Sequence, residues 1–495
     1  MAREKPSTFE RLARGNRKSR KQLQRRLYAD QPGLDVVHPN AGGIDIGNES
    51  HFVAVPPGRD ATPVQEFGCW TAELVRMAEW LKSCKIDTVA MQSTGVYWFA
   101  VYDVLERHGL EVFLVNAAHT RNLPGRKSDV QESQWLMKLH TYGLLRNSFR
   151  PPEQIRRLRA VWRLRDQHVK DAGRHIQHMQ KALTTMNVQL ANAISDVTGK
   201  TGQAIVRAIL TGERDPHKLA EFRDPHVRAT RAQIECSLEG NWQEESLFEL
   251  QQAVDSYDFT QKQIAECDVR LQQYLRALPS RPVPSSGTAG DRPVEAAGSE
   301  GETGKKTASR AGRKKARHTR NAPHFDLASE LTRIYGVEIT RVDGLDVMTV
   351  QTALAELGTD FRAWPSEQHF SSWLTLSPKR EISGGKLIQH THEGSRNRVA
   401  MALRIAATTL LRSNSYLGAR YRHLRTRLGA PKAIKAMARH LACLLYRMVT
   451  MGQAFVDFGA QAFEQKREQR EMAALERKAA HCGYRLVPVS AEAHP

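Results

Sequence analysis

An α/β unit followed by a longer, mostly helical part (α/β plus α) is the fold class this chain predicts, and three patterns predict it. Between residues 35 and 150 short apolar runs alternate with amphipathic stretches, the signature of strands interleaved with helices. From Pro151-Pro152 to residue 278 apolar positions recur at spacings of three and four, as in long paired helices. Residues 279–324 are rich in Pro, Gly, Ser and Ala, a composition unable to bury enough apolar surface to order a core.

Residues 1–34 carry Arg11, Arg14, Arg17, Lys18, Arg20, Lys21, Arg25 and Arg26 with little apolar spacing. They predict a flexible basic arm, which either orders on a phosphate backbone or stays solvated. In the 35–150 domain the runs 43–47, 52–55, 88–91 and 111–115 predict strands, and 72–81 and 97–108 predict amphipathic helices. Two early strands, a helix and further strand-helix units suit an RNase H-like mixed sheet. A doubly wound nucleotide-binding fold is the rival, but neither G-x-G-x-x-G nor G-x-x-x-x-G-K-[ST] is present to cradle phosphates.

In the helical region 151–278 one seam runs Val169, Ala172, Ile176, Met179, Leu183, Met186, Leu190. A second runs Leu250, Ala253, Tyr257, Thr260, Ile264, Cys267, Leu271, Tyr274. The two predict coiled-coil helices that pair within one chain or between chains. Asp215-Pro216 and Gly240-Asn241 mark breaks between them. The 279–324 segment turns basic from Lys305 to Arg317 and reads as a disordered linker. Residues 325–456 predict a compact, mostly helical domain. In it Val342-Asp343-Gly344-Leu345 outlines a helix-hairpin-helix turn, and 398–411 and 433–448 are apolar-periodic helices. The tail, 457–495, is a charged helix around 464–478.

Lys plus Arg total 73 against 53 Asp plus Glu, a formal charge of +20 in 495 residues. Such an excess favours a polyanionic partner, nucleic acid first, and salt-dependent binding; a merely basic globular protein is the plainer alternative. Six scattered cysteines include no C-x-x-C pair, which supports neither a zinc knuckle nor a disulfide framework. No apolar run reaches membrane-spanning length and the N-terminus lacks a secretion-type apolar core. The expected location is the cytoplasm, near the nucleoid, with no membrane partner.

Two separate sets of residues carry phosphoryl-transfer chemistry. The first is acidic: Asp45 in Gly43-Ile44-Asp45-Ile46-Gly47, and Asp129 with Glu132 in Lys127-Ser128-Asp129-Val130-Gln131-Glu132. Hard cations such as Mg²⁺ take oxygen ligands from separate elements, and acids three apart at a helix start share a face. Each also has an ordinary explanation: Asp45 as a turn residue, Asp129 as a helix cap, Glu132 as a solvated side chain. The 88–91 strand ends at Gln92, where such a site wants a carboxylate. One missing unit of charge at about 4 Å and an effective dielectric near 20 is worth of order 4 kcal/mol before desolvation offsets it. Either the cation is held weakly, or one binds, or Glu49 or Glu66 substitutes.

The second set is Ser383 in Glu381-Ile382-Ser383-Gly384-Gly385, amid Lys379, Arg380, Lys386, Arg396 and Arg398. A hydroxyl needs help to become a nucleophile, and cations stabilise the charge that a phosphoryl transition state develops. A plain Ser-Gly-Gly turn is the alternative.

The segments Asn40-Ala41-Gly42-Gly43-Ile44-Asp45-Ile46-Gly47, Gln92-Ser93-Thr94-Gly95-Val96-Tyr97-Trp98, Pro124-Gly125-Arg126-Lys127-Ser128-Asp129-Val130, 370–378 and Ile382-Ser383-Gly384-Gly385 resemble, in that order, the DEDD transposases of bacterial insertion sequences. This is the family numbered one-ten with its eleven-eleven branch, and the resemblance spans residues 40–455. It implies a RuvC-like domain, a coiled coil and a C-terminal transposase domain with a nucleophilic serine. It further implies a bridge RNA pairing with donor and target DNA, composite sites within a tetramer, and strand exchange through a phosphoserine link. By motif, Asp45 matches the first acid, Asp129 the third, Glu132 the fourth (usually Asp) and Ser383 the nucleophile; Gln92 stands at the second acid. Two rival functions are a RuvC-like endonuclease that cuts with water and an inactive nucleic-acid-binding scaffold.

Overall fold

The computed structural model describes residues 34–92, 95–116, 128–282, 294–295, 321–383, 386–391, 397–452 and 455–487. Nearly all of the expected basic arm, most of the expected linker, the Pro124–Lys127 motif and Arg396 lie outside the described residues. The chain divides into two compact units, Met1–Arg150 with Ile382–Lys386, and Pro151–Glu381 with Leu387–Pro495.

The first unit is built on a five-stranded sheet in the order β3-β2-β1-β4-β5. Its strands are β1 (Ala41–Ile46), β2 (Ser50–Ala54), β3 (Val64–Gly68), β4 (Thr88–Gln92) and β5 (Glu111–Val115). β1, β2 and β3 form an antiparallel meander, whereas β4 and β5 join β1 in parallel. β1 and β4 are buried almost throughout, as central strands covered on both faces must be. β3 departs from the sequence expectation, which has no strand there. It is an edge strand whose single buried apolar residue is Phe67, too little alternation to register as a strand.

Helices α1 (Thr71–Ser83) and α2 (Trp98–Arg107) cover one face. Leu74, Met77, Ala78 and Leu81 of α1, at spacings of three and four, pack with Ile44, Ile46, Val53, Val89 and Met91 from the strands. The opposite face is covered by α3 (Asp129–Thr141), through Leu136 and Leu139 against Ala90 and Val115.

In the second unit two 33-residue helices, α4 (Glu153–Thr185) and α9 (Glu244–Arg276), pack along each other; each is about 50 Å long. Of the expected seam, Ala172, Met179 and Leu183 are buried in α4, and Leu250, Ala253, Thr260, Ile264, Cys267 and Leu271 in α9. The helices therefore pair within the chain. α4 stops at Thr185, so Met186 and Leu190 fall beyond it, and Leu275 rather than Tyr274 is buried near the end of α9. Four short helices between them, α5 (Leu190–Ala193), α6 (Lys200–Leu210), α7 (Pro216–Ala220) and α8 (Arg231–Ser237), enclose a core with Met179, Leu183, Ile205 and Leu250. Arg165 of α4 and Asp268 of α9 form a buried ion pair, Nε to Oδ1 2.5 Å. Arg165 also donates to the Asn321 carbonyl at 2.9 Å, and Asp268 accepts from the His324 amide at 3.1 Å.

The remaining elements are β6 (Val294–Glu295), α10 (Leu327–Tyr335), α11 (Val347–Leu357), α12 (Glu367–Trp373), β7 (Lys379–Ser383), β8 (Lys386–Thr391), α13 (Arg398–Thr409), α14 (Tyr416–Leu428), α15 (Ala430–Met451), β9 (Phe455–Val456) and α16 (Gly459–His481). The turn between α10 and α11 holds Gly344 at φ 93°, packed beneath the Ala406 carbonyl of α13. β6 pairs in parallel with β9. β7 and β8 form a separate two-stranded sheet, a hairpin where the sequence expectation has only a glycine turn.

Candidate active site

Alternation along the strands decides which residues share a face. Ile44 and Ile46 point to α1 and α2, so Gly43 and Asp45 point to α3. Val89 and Met91 likewise face α1 and α2, which turns Thr88, Ala90 and Gln92 toward α3. Ile44 pairs with Met91 across the parallel ladder; one step further along, Asp45 and Gln92 are neighbours, with strands about 4.8 Å apart.

The direction of α3 brings its acids to the same edge. Near its C-terminus His140 Nε2 lies 2.9 Å from Thr88 Oγ1 at the start of β4. In its middle, Ser133 and Met137 lie directly over Gly43. Moving from Gly43 to Asp45 advances about 6.6 Å, and moving back one turn along α3 travels about 5.4 Å the same way. The first turn of α3, with Asp129 and Glu132, therefore stands over the C-terminal ends of β1 and β4.

This close crossing depends on small residues. A Cβ on Gly43 would lie 2.2 Å from the Ser133 carbonyl oxygen and 2.3 Å from the Met137 amide nitrogen. Ser133 is fully buried and its hydroxyl donates to the Val130 carbonyl at 2.9 Å. Ser128, not Asp129, caps the helix: its Oγ accepts from the Gln131 amide at 3.3 Å. Asp129 is thus an exposed first-turn residue, and Glu132, one turn on, is half-buried. Both acids favour the positive end of the helix dipole by about 0.3–1 kcal/mol each. Asp45 is half-buried and Gln92 is 9% exposed. Asp45 and Glu132 both engage neighbouring groups.

Beneath this edge His140 forms a rigid support. Thr88 Oγ1 donates to the Glu111 carbonyl at 3.0 Å, so the bond to His140 is donated by Nε2. His140 Nδ1 is buried with no partner, and the ring stacks on His38 at 4.6 Å. Burial first, and the His38 charge second, push its pKa down to about 3.

Strand register sets one alternative acid apart. Glu66 faces the same side but is aligned with Phe52, which is aligned with Asp45, two strand spacings or about 10 Å away. Glu49 is exposed in the turn between β1 and β2. Among the described residues no three His, Cys, Asp or Glu side chains are grouped to hold a metal. The oxygen donors fit a hard divalent cation in kind, and with Gln92 in the second position they fall one carboxylate short in number.

Ser383 ends β7, Lys379 and Arg380 lie on the same strand, and Lys386 begins β8. The hairpin tip Ile382–Lys386 groups with the sheet-bearing unit. Arg398 begins α13 and pairs with Asp166 of α4 at 3.2 Å. After β4, at the start of the expected 97–108 helix, Val96, Tyr97 and Phe99 are exposed and Trp98 stacks on Phe99 at 3.9 Å. The uninterrupted run of four large apolar residues was the available signal.

A mixed sheet of this order, with oxygen donors at the C-terminal ends of its two central strands, is that of a RuvC/RNase H-like domain. A family model for the DEDD transposase of IS110 matches residues 42–188, and one for the transposase IS116/IS110/IS902 family matches residues 338–422. The two matches support an IS110-family transposase, an enzyme that cuts and rejoins DNA. DEDD-type domains use a divalent metal. No curated protein matches the chain. Among the described residues no helix is long and apolar enough to cross a membrane.

Proposed function

We propose that this transposase recombines DNA for its own mobile element through a covalent serine intermediate. Ser383 Oγ forms a bond to a backbone phosphorus, a sugar oxygen leaves as a hydroxyl, and the serine proton passes to a base. Rejoining reverses the step: a strand-end hydroxyl attacks the phosphoserine and Ser383 is released, so the bond energy is kept and no ATP is needed. Asp45 and Glu132, with Asp129 and the Gln92 carbonyl oxygen, are the residues that would hold a Mg²⁺ ion, which would supply positive charge to the scissile phosphate. Lys379, Arg380, Lys386 and Arg396 supply positive charge for the phosphate, while Arg398 is shared with Asp166. The observation that carries the reading is the grouping of the Ser383 hairpin tip with the unit that bears the acidic edge.

The resemblance further supports a structured bridge RNA that pairs with donor and target DNA, two to four subunits composing the sites, and action in the cytoplasm at the nucleoid. Isolation of the protein with its RNA tests the guide: a structured species encoded beside the gene is expected, and its absence from active preparations contradicts it. A second reading, an inactive scaffold, draws on the carboxylate that Gln92 replaces. Incubation with donor DNA and Mg²⁺ separates the two, since a detergent-stable adduct lost in Ser383→Ala supports the enzyme and no strand cleavage under any metal supports the scaffold.

A further inference from the structure

Residues 394–456 carry twelve Lys or Arg and no Asp or Glu. Elsewhere in the second unit some exposed cations are matched along their own helix, as Arg157 with Glu153, Lys170 with Asp166 and Arg231 with Glu235. In α14 and α15 no such pair can form, because the segment holds no acid. Arg447 is held by Glu367 of α12 at 2.5 Å, and Arg422 donates to the Ser413 carbonyl at 2.6 Å. Arg425, Arg427 and Lys432 are exposed, and no carboxylate among the described residues pairs with them. Lys432, Lys435 and Arg439 follow at spacings of three and four on one side of α15. Arg425 and Arg427 occupy the last turn of α14, separated from α15 only by Gly429.

Cations of one sign along a helix repel, and here no acid of their own segment offsets them. The negative charge of a polyanion offsets this repulsion, and binding releases the polyanion's own counterions. The aromatic residues of the two helices, Tyr416, Tyr421 and Tyr446, are buried, so the face offers no ring for an unpaired base to stack on. Contacts to phosphates alone suit an intact duplex.

We propose that Arg425, Arg427, Lys432, Lys435 and Arg439 form a face that binds the phosphate backbone of duplex DNA without reading its sequence. The proposal rests on the DNA-transposase reading and adds where the duplex is held. Full-length protein and a DNA duplex are titrated by fluorescence anisotropy over a range of salt concentrations. Each phosphate contact contributes about 0.9 to the slope of log affinity against log salt. The triple variant Arg425→Gln, Arg427→Gln, Lys432→Gln is expected to lower that slope by about 2 to 3 with an unchanged circular-dichroism melt. A control triple at exposed cations elsewhere, Arg228→Gln, Lys262→Gln, Arg270→Gln, is expected to leave it unchanged. An unaltered slope in the first triple, or an equal fall in both, overturns the proposal. A fall for duplex RNA but not DNA overturns the DNA assignment and gives the face to RNA. Binding at equilibrium is read without strand cleavage, so a chain that binds but never cuts fails the catalytic reading and leaves this one standing.

Discussion

Gly43→Ala isolates the contact that holds the acids in place. The added Cβ meets the Ser133 carbonyl oxygen at 2.2 Å and the Met137 amide at 2.3 Å, both backbone atoms of α3. Restoring a van der Waals separation of about 3.5 Å requires the helix to recede by roughly 1 Å. Overpacking of this kind costs about 1–3 kcal/mol, and backbone atoms cannot swing aside, so a loss near about 3 kcal/mol is expected. A shift of 1 Å in positioning groups lowers rates by about a hundredfold. Gly42→Ala is the matched control. Its Cβ faces the other side, where it meets Val89 Cγ1 at 3.0 Å and Leu81 Cδ2 at 3.4 Å, side-chain atoms that yield for about 1 kcal/mol. Urea unfolding followed by tryptophan fluorescence gives the stabilities, and cleavage of donor plasmid gives the rates. If Gly43→Ala matches the parent in both, or Gly42→Ala is equally impaired, the close crossing of α3 over β1 does not position the acids.

Three further outcomes follow from particular residues. The folded pKa of His140, about 3, lies below the ordinary imidazole value of 6.5, so the unfolded chain takes up the proton first. Its contribution is complete above about pH 6.5 and falls by about 1.4 kcal/mol per pH unit below it, about 2 kcal/mol by pH 5; urea midpoints against pH should show this slope, and His140→Gln should flatten it. Asp268→Ala leaves buried Arg165 uncompensated and should lose about 3–5 kcal/mol, while Arg165→Met with Asp268→Leu should regain most of that in thermal unfolding. Gln92→Glu restores a charge at the second acid position and should tighten divalent-cation binding by about tenfold or more, measured by calorimetry; no gain would mean Gln92 does not face the ion.

Much of the sheet was legible because its central strands are buried on both faces and so read as apolar runs, and because α1 and α2 carry clean helical spacing. β3 was not, since an edge strand needs only Phe67 inside. The β7–β8 hairpin could have been found: Gly384-Gly385 between two strand-length segments is a two-residue hairpin signal. The acids themselves were visible by type and motif, but their shared edge depends on the crossing of α3 over Gly43, a tertiary fact that no local pattern encodes. Glu66 illustrates the converse, since only strand register shows it to be about 10 Å from Asp45. The pairing of α4 with α9 inside one chain was likewise one of two outcomes that the seams allowed.

The most direct measurement is mass spectrometry of the protein recovered under denaturing conditions after incubation with donor DNA and Mg²⁺. A nucleotide phosphodiester on the peptide containing Ser383, absent from Ser383→Ala and strongly reduced in Asp45→Asn, is the predicted result. DNA cleaved at the normal rate by Ser383→Ala, or an adduct on any other residue, would contradict the account.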